Sequence, residues 1–250
     1  MMINYKMTIG YDGRRYKGYR KTKANADKTI QGKLEAILKK KYEEDIEVIS
    51  ALNTDAGVNA TCQVVNFKVP EQKADPSSIR QYFEEYLPDD IITYDVEVVD
   101  DRFHSRYNVK ELTYEYRIWK KDAPTRPLYE RQRVNLVEGV LDVEAMRHGA
   151  KLFLGEHEFM AFSTKAKVKS SVKTVTALDI YETEEEIKIV ISADGFLLNM
   201  ERIIVGTLIQ IGLGERHEET IKRAFKSMNN KDAGHKAMAS ALTLVDVEFE

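Results

Sequence analysis

The order in which two hydrophobic periodicities alternate constrains this chain more than any other feature of its sequence. Ile3, Tyr5, Met7, Ile9 and Tyr11 recur every second residue, with Asn4, Lys6 and Thr8 between them. That spacing predicts a half-buried strand. After a basic stretch at 14–28, Ile30, Leu34, Ile37 and Leu38 recur at helical spacing, with Thr29 near a cap position. Strands are expected over Glu47–Leu52 and Cys62–Val69, the second carrying Val65, Phe67 and Val69 on one face. Pro76-Ser77-Ser78 opens a helix to Tyr86, because proline is tolerated in the first turn, and Tyr94–Val99 reads as a strand. The resulting β-α-β-β-α-β order is that of a ferredoxin-like unit.

A second half repeats the order without repeating the residues. Leu112, Tyr114, Tyr116 and Ile118 alternate as a strand, and Asp142–Leu154 is helical with Val143, Met146, Ala150 and Phe153 inward. Val175–Tyr181 and Ile187–Ser192 form a hairpin. Helices over Phe196–Ile211 and Glu218–Met228 and a last strand over Leu242–Phe249 complete it. The expected fold class is α+β. Two ferredoxin-like halves, 1–105 and 106–250, share a mainly antiparallel sheet with helices on one side and a central cleft.

With 250 residues and 43 % hydrophobic composition, the chain can bury a sizeable core. It has no apolar run near the roughly 18 residues a membrane span needs, and its start does not read as a secretory signal. The single cysteine, Cys62, cannot form an internal disulfide, so a cytoplasmic location is the default expectation. A net charge of −3 argues against a protein that coats nucleic acid wholesale, but not against a local basic face. Positive charge clusters three times: Arg14, Arg15, Lys17, Arg20, Lys21 and Lys23; then Lys39-Lys40-Lys41; then Lys165, Lys167, Lys169 and Lys173. Any one cluster is ordinary solvated surface. Together, against acidic runs such as Glu184-Glu185-Glu186, they imply a bipolar surface able to meet a polyanion.

Nucleotide-binding patterns such as G-x-x-x-x-G-K-[ST] or a strand-linked G-x-G-x-x-G are missing, so no cofactor is expected. Glu156-His157-Glu158 is the one tempting metal cluster. Adjacent residues do not converge, so a loop after the Asp142–Leu154 helix is expected there, with no metal. The segment 53–60, Asn-Thr-Asp-Ala-Gly-Val-Asn-Ala, is distinctive. Its composition alone reads as a polar turn. Val58 and Ala60 imply instead that it packs inward and presents one acid, Asp55. The Phe196–Ile211 helix is apolar on both sides, hence buried, with Arg202 set among Leu198, Val205 and Ile209. A buried guanidinium needs an anion. Asp55 is the natural candidate, Glu201 an alternative, and the pair serves equally as a structural bridge or as the device that keeps a nucleophilic carboxylate ionised.

These segments, taken in order, resemble the tRNA pseudouridine synthase A family along nearly the whole chain. Tyr11-Asp12-Gly13 with Tyr16 and Gly18 resembles the family's Y-D-G-x-x-[FY]-x-G. Thr29-Ile30-Gln31-Gly32 with Leu34-Glu35 matches its T-[VI]-Q-G-x-L-E, and Thr54–Val58 matches the core of its R-T-D-A-G-V-H-A. Leu87-Pro88-Asp89-Asp90-Ile91, Phe103-His104-Ser105-Arg106, Tyr114-x-Tyr116, Gly155–Phe159 and Gly195–Gly206 resemble further motifs. The resemblance implies Asp55 as the catalytic aspartate, Tyr114 as the tyrosine stacking on the target uracil, and Arg202 as the aspartate's basic partner. It implies a homodimer acting on the anticodon stem-loop of tRNA, at nucleotides 38, 39 and 40. A flipped base needs an aromatic platform, which suits Tyr114, although alternation with Leu112 and Ile118 also fits a core tyrosine.

The chain departs from the family at informative places. The family's arginine two residues before the aspartate is Asn53, and its histidine after Gly-Val is Asn59. With Asn53, Asn59, Arg14, Arg15 and Arg20 as expected RNA contacts, an arginine at 53 should speed the reaction unless a nearby cation such as Arg14, Arg15 or Arg20 substitutes. An RNA-binding protein on the same fold without catalysis, and an α+β protein with no RNA at all, are the competing readings.

Overall fold

The computed structural model describes residues 2–70, 75–164 and 170–250. Its strands are β1 (Met2–Tyr11), β2 (Ile49–Ser50), β3 (Asn59–Pro70), β4 (Ile91–Val99), β5 (Val109–Trp119), β6 (Asn135–Leu136), β7 (Gly155–Glu158), β8 (Val172–Glu182), β9 (Glu186–Ala193) and β10 (Leu242–Phe249). The α-helices are α1 (Ile30–Tyr42), α2 (Pro76–Tyr86), α3 (Val143–Lys151), α4 (Met200–Gly212) and α5 (Glu219–Ser227). Among the described residues no helix is long and apolar enough to cross a membrane.

The chain forms two compact units. The first comprises Met1–Lys110 with Leu244–Glu250, the second Glu111–Thr243. The division expected from sequence, 1–105 and 106–250, differs in the last strand, most of which lies in the first unit. Its contacts there are specific. Glu250 donates its backbone N–H to Asn108 O at 3.2 Å, the Phe103 and Phe249 rings lie 5.1 Å apart, and the Lys6 ammonium stands over both. Phe249 thus finds its apolar partner in a residue far from it in sequence, which local periodicity cannot reveal.

In the first unit β1 pairs antiparallel with β3 and β4, and β3 also pairs with β2. Alternation fixes which residues go inward. Tyr5, Met7 and Ile9 are fully buried, as are Val65, Phe67 and Val69. Tyr5 lies opposite Phe67 and stacks on it at 5.9 Å, and Phe67 meets Phe83 of α2 at 6.3 Å. Thr29 caps α1 by accepting from Gly32 N, and Asp75 caps α2 by accepting from Ser78 N.

In the second unit β9 pairs antiparallel with β5 and β8, and β8 with β7. The mixed α+β class and the mainly antiparallel pairing agree with the sequence. Every residue of α4 except Gln210 is buried, including Glu201 and Arg202. A helix buried all round buries its polar residues too. Leu198 is exposed rather than inward. The helix begins at Met200, four residues later than expected, after Asn199 takes a left-handed φ of 64°. The helical wheel therefore does not extend back to Leu198.

Gly155–Glu158, expected as a loop, is the short strand β7, with Glu156 opposite Thr174 and His157 opposite Lys173. Its polar sequence hides the strand because an edge strand needs only backbone partners. His157 stacks on Phe225 at 4.6 Å, beside Phe153, Phe159 and Phe162. Among the described residues no group of three or more His, Cys, Asp or Glu side chains could hold a metal ion.

Candidate active site

The Asp55 loop joins β2 to β3 and is held from below by a buried phenol. The Tyr11 hydroxyl meets Thr54 Oγ1 at 2.7 Å, and Gln63 Nε2 donates to the same hydroxyl at 3.4 Å. Burial pushes the Tyr11 phenol up to about 12, and these two hydrogen bonds only partly oppose it. Asp55 O accepts from Val58 N at 3.2 Å, closing a turn with Gly57 at a φ of 85°. That positive φ is the reason for a glycine at the third place of the turn. Val58 and Ala60 are buried, as expected from their place in a polar loop.

The segment 11–19 lies directly against this loop. Tyr19 N donates to Thr54 O at 3.0 Å, and Gly13 N donates to Asn59 Oδ1 at 3.0 Å. A Cβ on Gly13 would overlap the Val58 carbonyl. The Y-D-G motif and the Asp55 motif are therefore one structural object, with two backbones in van der Waals contact. Asn59, expected as an RNA contact, is buried and serves this junction.

The cations near the loop are partly engaged. Arg14 forks onto the Asp12 carboxylate, with Nη2 to Oδ2 at 2.5 Å and Nε to Oδ1 at 2.8 Å. Arg15 lies 3.6 Å from Asp90, which also accepts from the Tyr16 hydroxyl at 2.5 Å. Lys21 pairs with Glu35, a buried carboxylate that also accepts from Gln31 and from Val48 N. Lys17, Arg20 and Lys23 are exposed. In the second cluster Lys39 pairs with Asp45, while Lys40 and Lys41 stand over the Tyr86 and Tyr82 rings. Lys165, Lys167 and Lys169 of the third lie outside the described residues. Asn53 is half-buried, and its Oδ1 accepts from Arg106 Nη2 at 3.4 Å and from the Ser50 hydroxyl at 3.3 Å. A cation that contacts Asn53 is Arg106, a residue the sequence reading did not name as a substitute for the missing arginine. Its only sequence signal is the F-H-S-R motif.

In the second unit Tyr114 sits on β5 opposite Ile191, fully buried, with its ring edge-on to Phe196 at 5.3 Å. Arg202 is 8 % exposed. Its Nε donates to Ala237 O at 2.9 Å and its Nη1 to Asn199 Oδ1 at 3.2 Å, while Ala237 N donates back to Arg202 O at 3.0 Å. The guanidinium thus clamps the segment before β10 onto α4. Burial pushes the nearby Tyr116 phenol well up, with the Met238 backbone and the Arg202 charge opposing it.

The chain is thus an α+β protein of two ferredoxin-like halves, with a carboxylate on a packed β–β loop of the first unit and a buried arginine on α4 of the second. The sequence profile of a family described as tRNA pseudouridine synthase matches residues 7–108 and 150–250. The chain is 42 % identical over 249 residues to a tRNA pseudouridine synthase A 2 of Bacillus cereus, covering 99 % of this chain and all of the relative. It is 41 % identical to tRNA pseudouridine synthase A of a Bacillus species, with the same coverage. It is 41 % identical over 234 residues to tRNA pseudouridine synthase A 2 of Clostridium perfringens, covering 93 % of this chain and 94 % of the relative. The chain belongs to the tRNA pseudouridine synthase family and is an isomerase of that kind.

Proposed function

We infer that this protein converts uridine to pseudouridine in the anticodon stem-loop of tRNA, at nucleotides 38, 39 and 40, and works as a homodimer. The reaction breaks the bond between uracil N1 and ribose C1′ and forms one between C5 and C1′. The C5 proton leaves and N1 gains one, so substrate and product are isomers and the reaction consumes no co-reactant. In this reading Asp55 acts on the ribose, either by attack at C1′ or by taking a sugar proton. Tyr114 packs on the uracil, and Arg202 favours the ionised carboxylate. The observation that carries the reading is the Asp55 loop itself. Its acid lies in a turn whose backbone is tied to Tyr19 and whose neighbour Thr54 is tied to Tyr11. Such a loop holds a nucleophile in place without reorganisation.

The test is to incubate the protein with tRNA transcripts and map pseudouridine by nucleotide. Asp55→Asn should abolish isomerisation while tRNA binding stays within about tenfold, about 1.4 kcal/mol, because phosphate contacts carry most of the affinity. Turnover by Asp55→Asn removes Asp55 from the chemistry. Binding without turnover by the unaltered protein favours an RNA-binding role alone.

A further inference from the structure

The turn after β4 carries three side chains that the proposed chemistry does not use. Its backbone is unusually well fixed. Asn4, buried in β1, donates from Nδ2 to Asp100 O at 2.9 Å and Phe103 O at 2.8 Å. Asn66, buried in β3, donates to Asn4 Oδ1 at 3.0 Å, and its own Oδ1 accepts from Ser105 N at 2.9 Å. Within the turn His104 Nδ1 accepts from Arg106 N at 3.2 Å and Tyr107 N at 3.3 Å. Two buried amides and an imidazole thus hold one short exposed segment. Order of this kind on a surface turn needs a reason, because loops without one are usually mobile.

The reason lies in what the turn presents. Arg106 is exposed, yet its guanidinium rests on Asn53, two residues from Asp55. The contact is to a neutral amide at 3.4 Å, so the arginine keeps its charge and its remaining donors for another partner. Tyr107 is 80 % exposed, and its ring lies flat on His104 at 4.1 Å with 25° between the planes. Rings stacked in the open, beside a planar cation, match what a nucleotide offers: a phosphate and a flat base.

We propose that Arg106 is a positioning residue that grips an RNA phosphate next to the target uridine, and that the Tyr107–His104 stack packs against a neighbouring base or ribose. Asn53 then has a defined role. It aims Arg106, where a residue of like charge at 53 would push it away. This inference rests on the reading of the protein as a tRNA-modifying enzyme, and the experiment separates the two.

Transcript binding is measured as a function of salt, together with single-turnover pseudouridine formation and melting temperature, for the full-length protein, Arg106→Ala, Arg106→Lys and Tyr107→Ala. Loss of one phosphate contact should make the slope of log K against log salt shallower by about 0.7–0.9. Arg106→Ala is expected to show that change and an affinity roughly tenfold lower, with melting unchanged. Arg106→Lys should restore the slope, because it restores the charge, but only part of the affinity, because it lacks the planar fork. Tyr107→Ala should weaken binding and leave the slope as it was. An Arg106→Ala protein with unaltered slope and affinity overturns the proposal. So does one whose melting falls and is rescued by lysine while the slope is not. If the unaltered protein makes no pseudouridine but Arg106→Ala still changes the slope, the contact stands and the enzymatic reading fails.

Discussion

Residue by residue, the candidate site shows how much of a catalytic loop is support. Asp55 is one carboxylate, and its position depends on groups that do no chemistry. Tyr11 is the clearest. Its hydroxyl is buried, hydrogen-bonded to the Thr54 hydroxyl, and accepts from Gln63. Tyr11→Phe leaves both partners without it while keeping the ring. Removing one side of a buried hydrogen bond costs about 1–3 kcal/mol. Urea unfolding should show a loss in that range. Single-turnover rate should fall while tRNA affinity holds, since Thr54 adjoins Asp55 and touches no proposed phosphate contact. An unchanged rate would show that Asp55 is positioned by the backbone bonds alone.

Asn53 shows the limit of reading one residue at a time. As a substitution for arginine it reads as a loss. In the structure it is the acceptor for Arg106, which lies 53 residues further on. The motif holding Arg106 was visible in the sequence, but nothing in the spacing says that a turn after β4 meets a loop before β3. Asn59, which stands where the family has a histidine, is buried and accepts from the Gly13 backbone N–H.

Among the elements, α4 is the most constrained. Its sequence announced burial on both sides, and burial is complete except at Gln210. Gly206 lies in its middle, where a Cβ would overlap the His235 carbonyl. Intrinsic propensity favours alanine over glycine by about 1 kcal/mol in a helix interior. Overpacking costs about 1–3 kcal/mol, and here the obstacle is backbone held by the Arg202–Ala237 bonds rather than a side chain that can rotate. Gly206→Ala should therefore destabilise the protein, as read by thermal or urea unfolding. A gain in stability would mean that the 233–238 segment yields easily. The start of α4 was misplaced in the sequence for a local reason. Phe196, Leu197 and Leu198 continue an apolar pattern that the left-handed Asn199 interrupts, and hydrophobic spacing carries no record of φ.

Across the whole molecule, buried phenols make stability depend on pH on the alkaline side. Burial pushes Tyr11 and Tyr42 up to about 12, and raises Tyr16, Tyr19 and Tyr116 as well. In the unfolded chain a tyrosine loses its proton near pH 10. Between that pH and the folded values the native state binds more protons than the unfolded state, so stability falls as pH rises. The stabilisation is complete below about pH 10 and is lost progressively toward pH 12. Tyrosinate absorbance and far-ultraviolet circular dichroism should change together in this window. Tyrosinate forming well before the dichroism changes would mean that these hydroxyls reach solvent in the folded state.

The sequence by itself determined most of the elements and their order, the capped start of α1, the proline-led start of α2, the inward face of β1 and the burial of α4. These follow from periodicity and cap chemistry, which act over a few residues and are written locally. It also marked Asp55, Arg202 and Tyr114 through the family motifs. Only the tertiary structure decided that Gly13 touches Val58, that Asn4 and Asn66 fix the turn at 103–107, that Arg106 rests on Asn53, and that the end of the chain packs with its beginning. Each of these joins residues tens to hundreds of positions apart. They are set by sheet register and by the need to satisfy every buried polar group, conditions that exist only once the chain has closed on itself.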